Sequence, residues 1–224
     1  LSGAKRNVRL ADRQSQIVIV DDDASILRAF SKQVALMGHA VTTFQNAADA
    51  LLHVRGQGAD CILLDLNMPG LSGLELQKAL TELSTPLPVI FISGAANVQT
   101  SVAAMRGGAS HFLEKPIEFD DLKLAISEAL ETGAKTAQET ESINECKRRY
   151  ASLTPRQQAV FAELMTGASN KVIAARLEIG ERTVKAHRHA LMERLEARNT
   201  ADILKIGFVL GIADPSPTGA SEDN

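Results

Sequence analysis

Residues 16–23 read Gln16-Ile17-Val18-Ile19-Val20-Asp21-Asp22-Asp23, an apolar run that ends abruptly in three acids. A strand this uniformly apolar is expected where helices cover both faces of a parallel sheet. The design recurs along the chain. Cys61-Ile62-Leu63-Leu64 runs into Asp65, Val89-Ile90-Phe91-Ile92 into Ser93, and Phe112-Leu113 is closed by Glu114 and Lys115-Pro116. Strand-like stretches near 16–20, 40–44, 60–64, 88–92 and 110–113 alternate with helix-like ones near 24–37, 46–56, 73–83, 96–107 and 118–131. Five such units with short connections predict an α/β domain over residues 15–133, a doubly wound (βα)5 sheet with strand order 2-1-3-4-5. Gly38, Gly70, Gly73, Gly94 and Gly107-Gly108 fall between elements, and Pro86 and Pro88 mark the entry to the fourth strand.

The carboxyl ends of parallel strands share one edge of the sheet, so residues distant in sequence meet there. Asp21, Asp22 and Asp65 then converge, because the first and third strands are neighbours in this order. Three carboxylates in one crevice repel unless a cation lies among them, and magnesium is commonly held by one or two carboxylates together with phosphate oxygens. Ser93 can donate to a phosphoryl oxygen and Lys115 can neutralise charge as it develops. The set suits magnesium- or manganese-assisted phosphoryl transfer with Asp65 as nucleophile. Pro116 permits a cis bond after Lys115.

Composition sets the outer limits. A hydrophobic share of 45% in 224 residues supplies ordinary cores for two small domains. Cys61 and Cys146 form no framework, and Cys61 reads as a buried, reduced thiol. No signal peptide and no apolar run of about 20 residues is evident, so a cytoplasmic protein without membrane association is expected. The absence of an initial Met suggests a trimmed or tagged chain. Residues 1–133 carry 11 Lys and Arg against 15 Asp and Glu, whereas residues 147–209 carry 12 against 6. A basic second half suits a polyanionic partner.

That second half is helical in pattern. Residues 134–152 are polar and charged, with Ile143 and Tyr150 as the large apolar groups, and read as a linker that is helical from about Glu139. Over residues 153–211 a helix starts at Pro155 behind Thr154, a second covers 170–177, Gly180 marks a turn, and further helices cover 181–195 and 200–210. The pair flanking Gly180 is a helix-turn-helix candidate. Val184, Leu191 and Leu195 should face the bundle, leaving Arg182, Lys185, His189 and Met192 to reach a groove. Arg188 falls near the apolar side by helical angle, and His187 reads as packing locally. Residues 1–14 read as a mobile arm and 212–224 as a disordered tail.

VIVDDD, LLDLNMPGLSGLEL, VIFISGAA and FLEKP resemble the CheY-like receiver domain of bacterial two-component response regulators over about residues 16–133. The resemblance implies that a sensor histidine kinase phosphorylates Asp65, with Asp21, Asp22, Asp65 and the Asn67 carbonyl holding magnesium. It implies that Ser93 and Phe112 form a switch pair, conservative departures from the common Thr and Tyr, and that Asp23 caps the first helix. LTPR, SNKVIAARL and RTVKAH resemble the DNA-binding domain of the NarL/FixJ (LuxR-type) regulators over about residues 153–210. This implies base-edge contacts from Lys185, Ala186 and His189, and phosphate contacts from Lys171, Arg182 and Thr183. Gln157 stands where relatives commonly carry a Glu, which would weaken any pairing of that position with an Arg.

Together these imply a phosphorylation-controlled, dimerising transcription factor that meets promoter DNA and RNA polymerase and turns over no external substrate. A phosphatase of the haloacid-dehalogenase type is the first rival, but such enzymes need a second acid two residues after the nucleophile, where this chain has Asn67. A phosphorylation-independent DNA-binding protein with a vestigial receiver is the second, and the complete set of site residues opposes it.

Overall fold

The computed structural model describes residues 14–83, 87–94 and 98–212. They form two units dividing between Gln138 and Glu139. Most of the expected N-terminal arm and C-terminal tail, together with Pro86, Ala96 and Asn97, lies outside the described residues.

In the first unit, β1 (Gln16–Val20), β2 (Ala40–Phe44), β3 (Cys61–Asp65), β4 (Val89–Ser93) and β5 (His111–Glu114) make one parallel sheet in the order β2-β1-β3-β4-β5, as read from the sequence. The connecting helices are α1 (Ala24–Leu36), α2 (Ala47–Gln57), α3 (Gly73–Thr81) and α4 (Val98–Arg106). Alternation along the strands builds a core on each face. Val18, Val20, Ile62, Leu64, Val89 and Phe91 pack with α2, α3 and α4, while Ile17, Ile19, Leu63, Ile90 and Ile92 pack with Phe30, Leu122 and Ile126. Cys61 is fully buried, and that burial pushes its thiol up to about 12, so it is held as an inert apolar group. Helix starts are fixed by side-chain acceptors. The Asp23 carboxylate accepts the Ser25 N–H at 2.7 Å to cap α1, as expected, and Ser72 and Glu75 form a reciprocal capping box on α3.

One expectation fails. In place of a helix ending near 131 and a linker that becomes helical near 139, α5 runs unbroken from Phe119 to Ala151. Its first turns bury Leu122, Ala125, Ile126 and Ala129. Gly133 is the next inward residue, and a Cβ there would sit 2.5 Å from Pro88 Cγ. It therefore marks a close approach to the strand-four entry and not a helix stop. Beyond it the helix is polar and is laced by Lys135–Glu131 at 2.8 Å, Arg148–Glu145 at 2.6 Å and Arg149–Glu145 at 2.9 Å. Pairs at this spacing support a helix that buries little.

In the second unit, α6 (Pro155–Met165), α7 (Asn170–Arg176), α8 (Glu181–Arg194) and α9 (Thr200–Val209) close around Val160, Phe161, Leu164, Ile173, Val184, Leu191, Leu195 and Ile203. Tyr150, near the end of α5, packs edge-on against Phe161 with centroids 5.1 Å apart. Gln157 is buried, and its Oε1 accepts the Thr154 N–H at 2.9 Å while Thr154 Oγ1 accepts the Gln157 N–H at 3.3 Å. An amide serves this capping box as well as a carboxylate would, so the departure at 157 is explained by a helix cap and not by a weakened Arg pair. Helices α7 and α8 both end in left-handed residues that are not glycine, Glu178 (φ 53°) and Glu196 (φ 54°). The Ile179 N–H reaches the Ala174 carbonyl at 3.0 Å and the Ala197 N–H reaches Met192 at 2.9 Å, closing both as Schellman-type turns.

Candidate functional site

The topology places the ends of β1, β3, β4 and β5 along one edge, and it brings Asp21, Asp65, Ser93 and Lys115 to it. Asp21 and Asp65 are buried beneath the rim. Lys115 Nζ donates to Asp21 Oδ2 at 2.7 Å and to Asp65 Oδ1 at 2.8 Å, so one ammonium bridges both carboxylates. Their second oxygens are also held: Asp21 Oδ1 accepts the Asp23 N–H at 2.9 Å and Asp65 Oδ2 accepts the Asn67 N–H at 2.7 Å. Burial alone would push the Lys115 ammonium down, but hydrogen bonds to Asp21 and Asp65 and their negative charge outweigh it and hold Lys115 above its ordinary value. The site is a largely buried cluster that keeps a net negative charge, with one ammonium against two carboxylates.

Backbone contacts fix the members. The Lys115 N–H donates to the Ser93 carbonyl at 2.8 Å and the Lys115–Pro116 bond is cis, as the sequence permitted. Ser93 is fully buried, whereas Asp22 and Asn67 are exposed at the rim. Behind Asp65, a Cβ on Gly73 would meet the Asp65 carbonyl oxygen at 2.5 Å. Only glycine lets the start of α3 lie this close to the strand that carries Asp65. Phe112 is half-buried, packed on Phe91 with ring centroids 6.3 Å apart, and these two residues are register partners in β4 and β5.

The other candidates lie on the second unit. Lys171 on α7 and Arg182, Thr183, Lys185, Ala186 and His189 on α8 are all exposed, while Val184, Leu191 and Leu195 are buried in the bundle core as expected. Met192 departs from expectation: it is half-buried against that core and does not share the free face. Arg188 is placed by the structure, donating from Nη1 to Asn170 Oδ1 at 3.2 Å and from Nη2 to Thr200 Oγ1 at 2.6 Å. Nothing in the local pattern signals that bridge, because both partners lie on other helices.

Residues 17–127 match the response regulator receiver domain family, and residues 151–206 match the luxR family of bacterial regulatory proteins. The chain is similar to the response regulator protein TmoT of Ectopseudomonas mendocina, at 37% identity over 87% of this chain and 89% of that one. Among solved structures it resembles the response regulator StyR, with a TM-score of 0.76 and 36% identity over 87% of this chain and 98% of that one. It also resembles full-length FixJ from B. japonicum, with a TM-score of 0.54 and 32% identity over 89% and 98% of the two chains.

Proposed function

The chain belongs to the two-component response regulators that join a receiver domain to a LuxR-type DNA-binding domain, and from this we propose a phosphoryl-operated DNA-binding switch. Asp65 takes a phosphoryl group from the phosphohistidine of a sensor kinase. A P–O bond forms at a carboxylate oxygen of Asp65 as the P–N bond breaks, and the imidazole leaves. The observation that carries this reading is the Lys115 bridge, which gathers Asp21 and Asp65 around one cation at the strand edge and leaves one negative charge uncompensated.

The residues present fit a magnesium or manganese ion. The donors are all oxygen: the carboxylates of Asp21, Asp22 and Asp65 and the carbonyl of Asn67. Among the described residues no three His, Cys, Asp or Glu side chains close into a cage. Magnesium typically keeps several waters and binds through one or two carboxylates plus phosphate oxygens, so it needs no such cage. When bound it supplies charge neutralisation for the incoming phosphoryl group.

Lys115 then trades part of its carboxylate bonding for the phosphoryl oxygens. Ser93 turns its hydroxyl toward the same oxygens and the Phe112 ring follows into the space behind it. The altered surface around α4 and β5 favours a receiver dimer, which raises the effective concentration of the DNA-binding domains on paired half-sites. Promoter DNA and RNA polymerase are the downstream partners. The phosphoryl group biases an existing equilibrium, so the unmodified protein retains weak activity. With Asn67 where a second acid would stand, the aspartyl phosphate is held as a signal and no external ester is turned over. No helix among the described residues is long and apolar enough to cross a membrane.

The test is incubation with acetyl phosphate and magnesium, followed by intact-mass measurement and sizing. One added phosphoryl group and a shift toward dimer are expected for the wild type, and neither for Asp65→Asn. Uptake by the variant at an equal rate would remove Asp65 as the acceptor.

A further inference from the structure

Arg188 lies one turn beyond the buried Val184, so its stem runs along the edge of the helical core. Its head leaves the core between two helix starts. Asn170, which accepts one bond, is the first residue of α7, and Thr200, which accepts the other, is the first residue of α9. A single planar fork therefore ties three helices at one point, a geometry that the compact ammonium of a lysine does not reproduce.

The tie holds a half-buried guanidinium on uncharged oxygens. Both acceptors are neutral, and Arg188 forms no ion pair among the described residues, in contrast to Arg149 and Arg176 of the same unit. Half-burying a guanidinium without a counter-charge carries a desolvation cost that an apolar contact would avoid. What the fork gains is registry. Asn170 is followed directly by the exposed Lys171, while Lys185 and His189 flank Arg188 on α8. Fixing Asn170 against α8 fixes the phosphate-facing Lys171 relative to the base-facing side chains.

We propose that Arg188 is a positioning residue for DNA binding, setting the reach of Lys171 toward the phosphate backbone by bridging the starts of α7 and α9. The inference rests on the DNA-binding reading above. Phosphate contacts set the register of a protein on the duplex, so a displaced Lys171 weakens binding to any sequence.

The experiment titrates the full-length chain onto a random-sequence duplex at several salt concentrations. Arg188→Gln is expected to lose about tenfold in affinity, as Lys171→Ala does, and the double variant is expected to bind no more weakly than Lys171→Ala alone. Thr200→Val, which removes one acceptor, is expected to show part of the loss, and Thr200→Ser, which keeps the oxygen, none. That pair carries the test if Arg188→Gln melts below the assay temperature. Two results overturn the proposal. One is Arg188→Gln binding like the wild type. The other is the same loss in the Lys171→Ala background with a further drop of about 0.9 in the salt slope, which would make Arg188 a direct phosphate contact. A wild type that binds no duplex would instead overturn the DNA-binding reading itself, before any variant is compared.

Discussion

The two units handle charge in opposite ways. At the sheet edge of the first, Lys115 is turned inward between Asp21 and Asp65, and all three are bonded and largely withdrawn from water. On the second, Lys171, Arg182 and Lys185 stand in solvent, and none forms an ion pair among the described residues. A buried cluster whose charges are bonded to one another resists change until another charged group enters and reapportions its bonds. An exposed, unbalanced one awaits a polyanion and costs the fold little.

The contrast can be broken by substitution. Lys115→Met leaves two buried carboxylates facing each other and is expected to cost about 2 kcal/mol of stability, less than a fully buried pair because the lysine is partly exposed. Denaturant melts with and without magnesium check this, and magnesium should recover more of the loss in the variant than it adds to the wild type. Lys185→Ala should leave the melt unchanged while discrimination between a duplex selected by the wild type and a random one falls by about 1–3 kcal/mol. Lys171→Ala should weaken both duplexes alike. Equal behaviour of these two variants would erase the distinction between base-facing and phosphate-facing positions.

Titration sharpens the same comparison. The folded value of Lys115 is raised above 10.5, so its contribution is fully present below that pH and is lost as pH climbs through the folded value. The stability gap between wild type and Lys115→Met should therefore be level from neutral pH upward and shrink only in strong alkali. A gap that closes between pH 5 and 8 would implicate another group. The smallest expected effect concerns backbone alone. Glu178→Gly relieves a left-handed residue and should stabilise the second unit by about 0.5–1 kcal/mol, read from the shift of its melt.

Much of this was legible in the sequence because the signals are local. Apolar runs closing on Asp21, Asp65, Ser93 and Lys115 predict both the parallel sheet and the edge to which it brings these residues. Val184, Leu191 and Leu195 announce the buried side of α8 by helical spacing alone. Most of what escaped depends on partners far along the chain. The helix expected to end near 131 is instead carried past Gly133, which lies against Pro88, and α5 runs straight on. Gln157 is a local exception: it looks like a lost ion pair until Thr154, three residues before it, is seen to close a capping box with it. Met192 sits on the free side of a helical wheel, but the bundle is wide enough to cover it. Arg188 has no local signature, since Asn170 and Thr200 lie on other helices.

The unbroken α5 also has a consequence for local stability. Ile143 is 39% exposed, and the ion pairs of residues 131–149 are surface pairs that salt weakens. Backbone amides there are protected by helical hydrogen bonds and by little else. Hydrogen exchange should therefore find them opening well before the flanking cores do, and faster as ionic strength rises. A protease acting at Lys135 or Lys147 would find this stretch opening sooner than the flanking cores, so among the described residues a continuous helix itself offers a cleavage region.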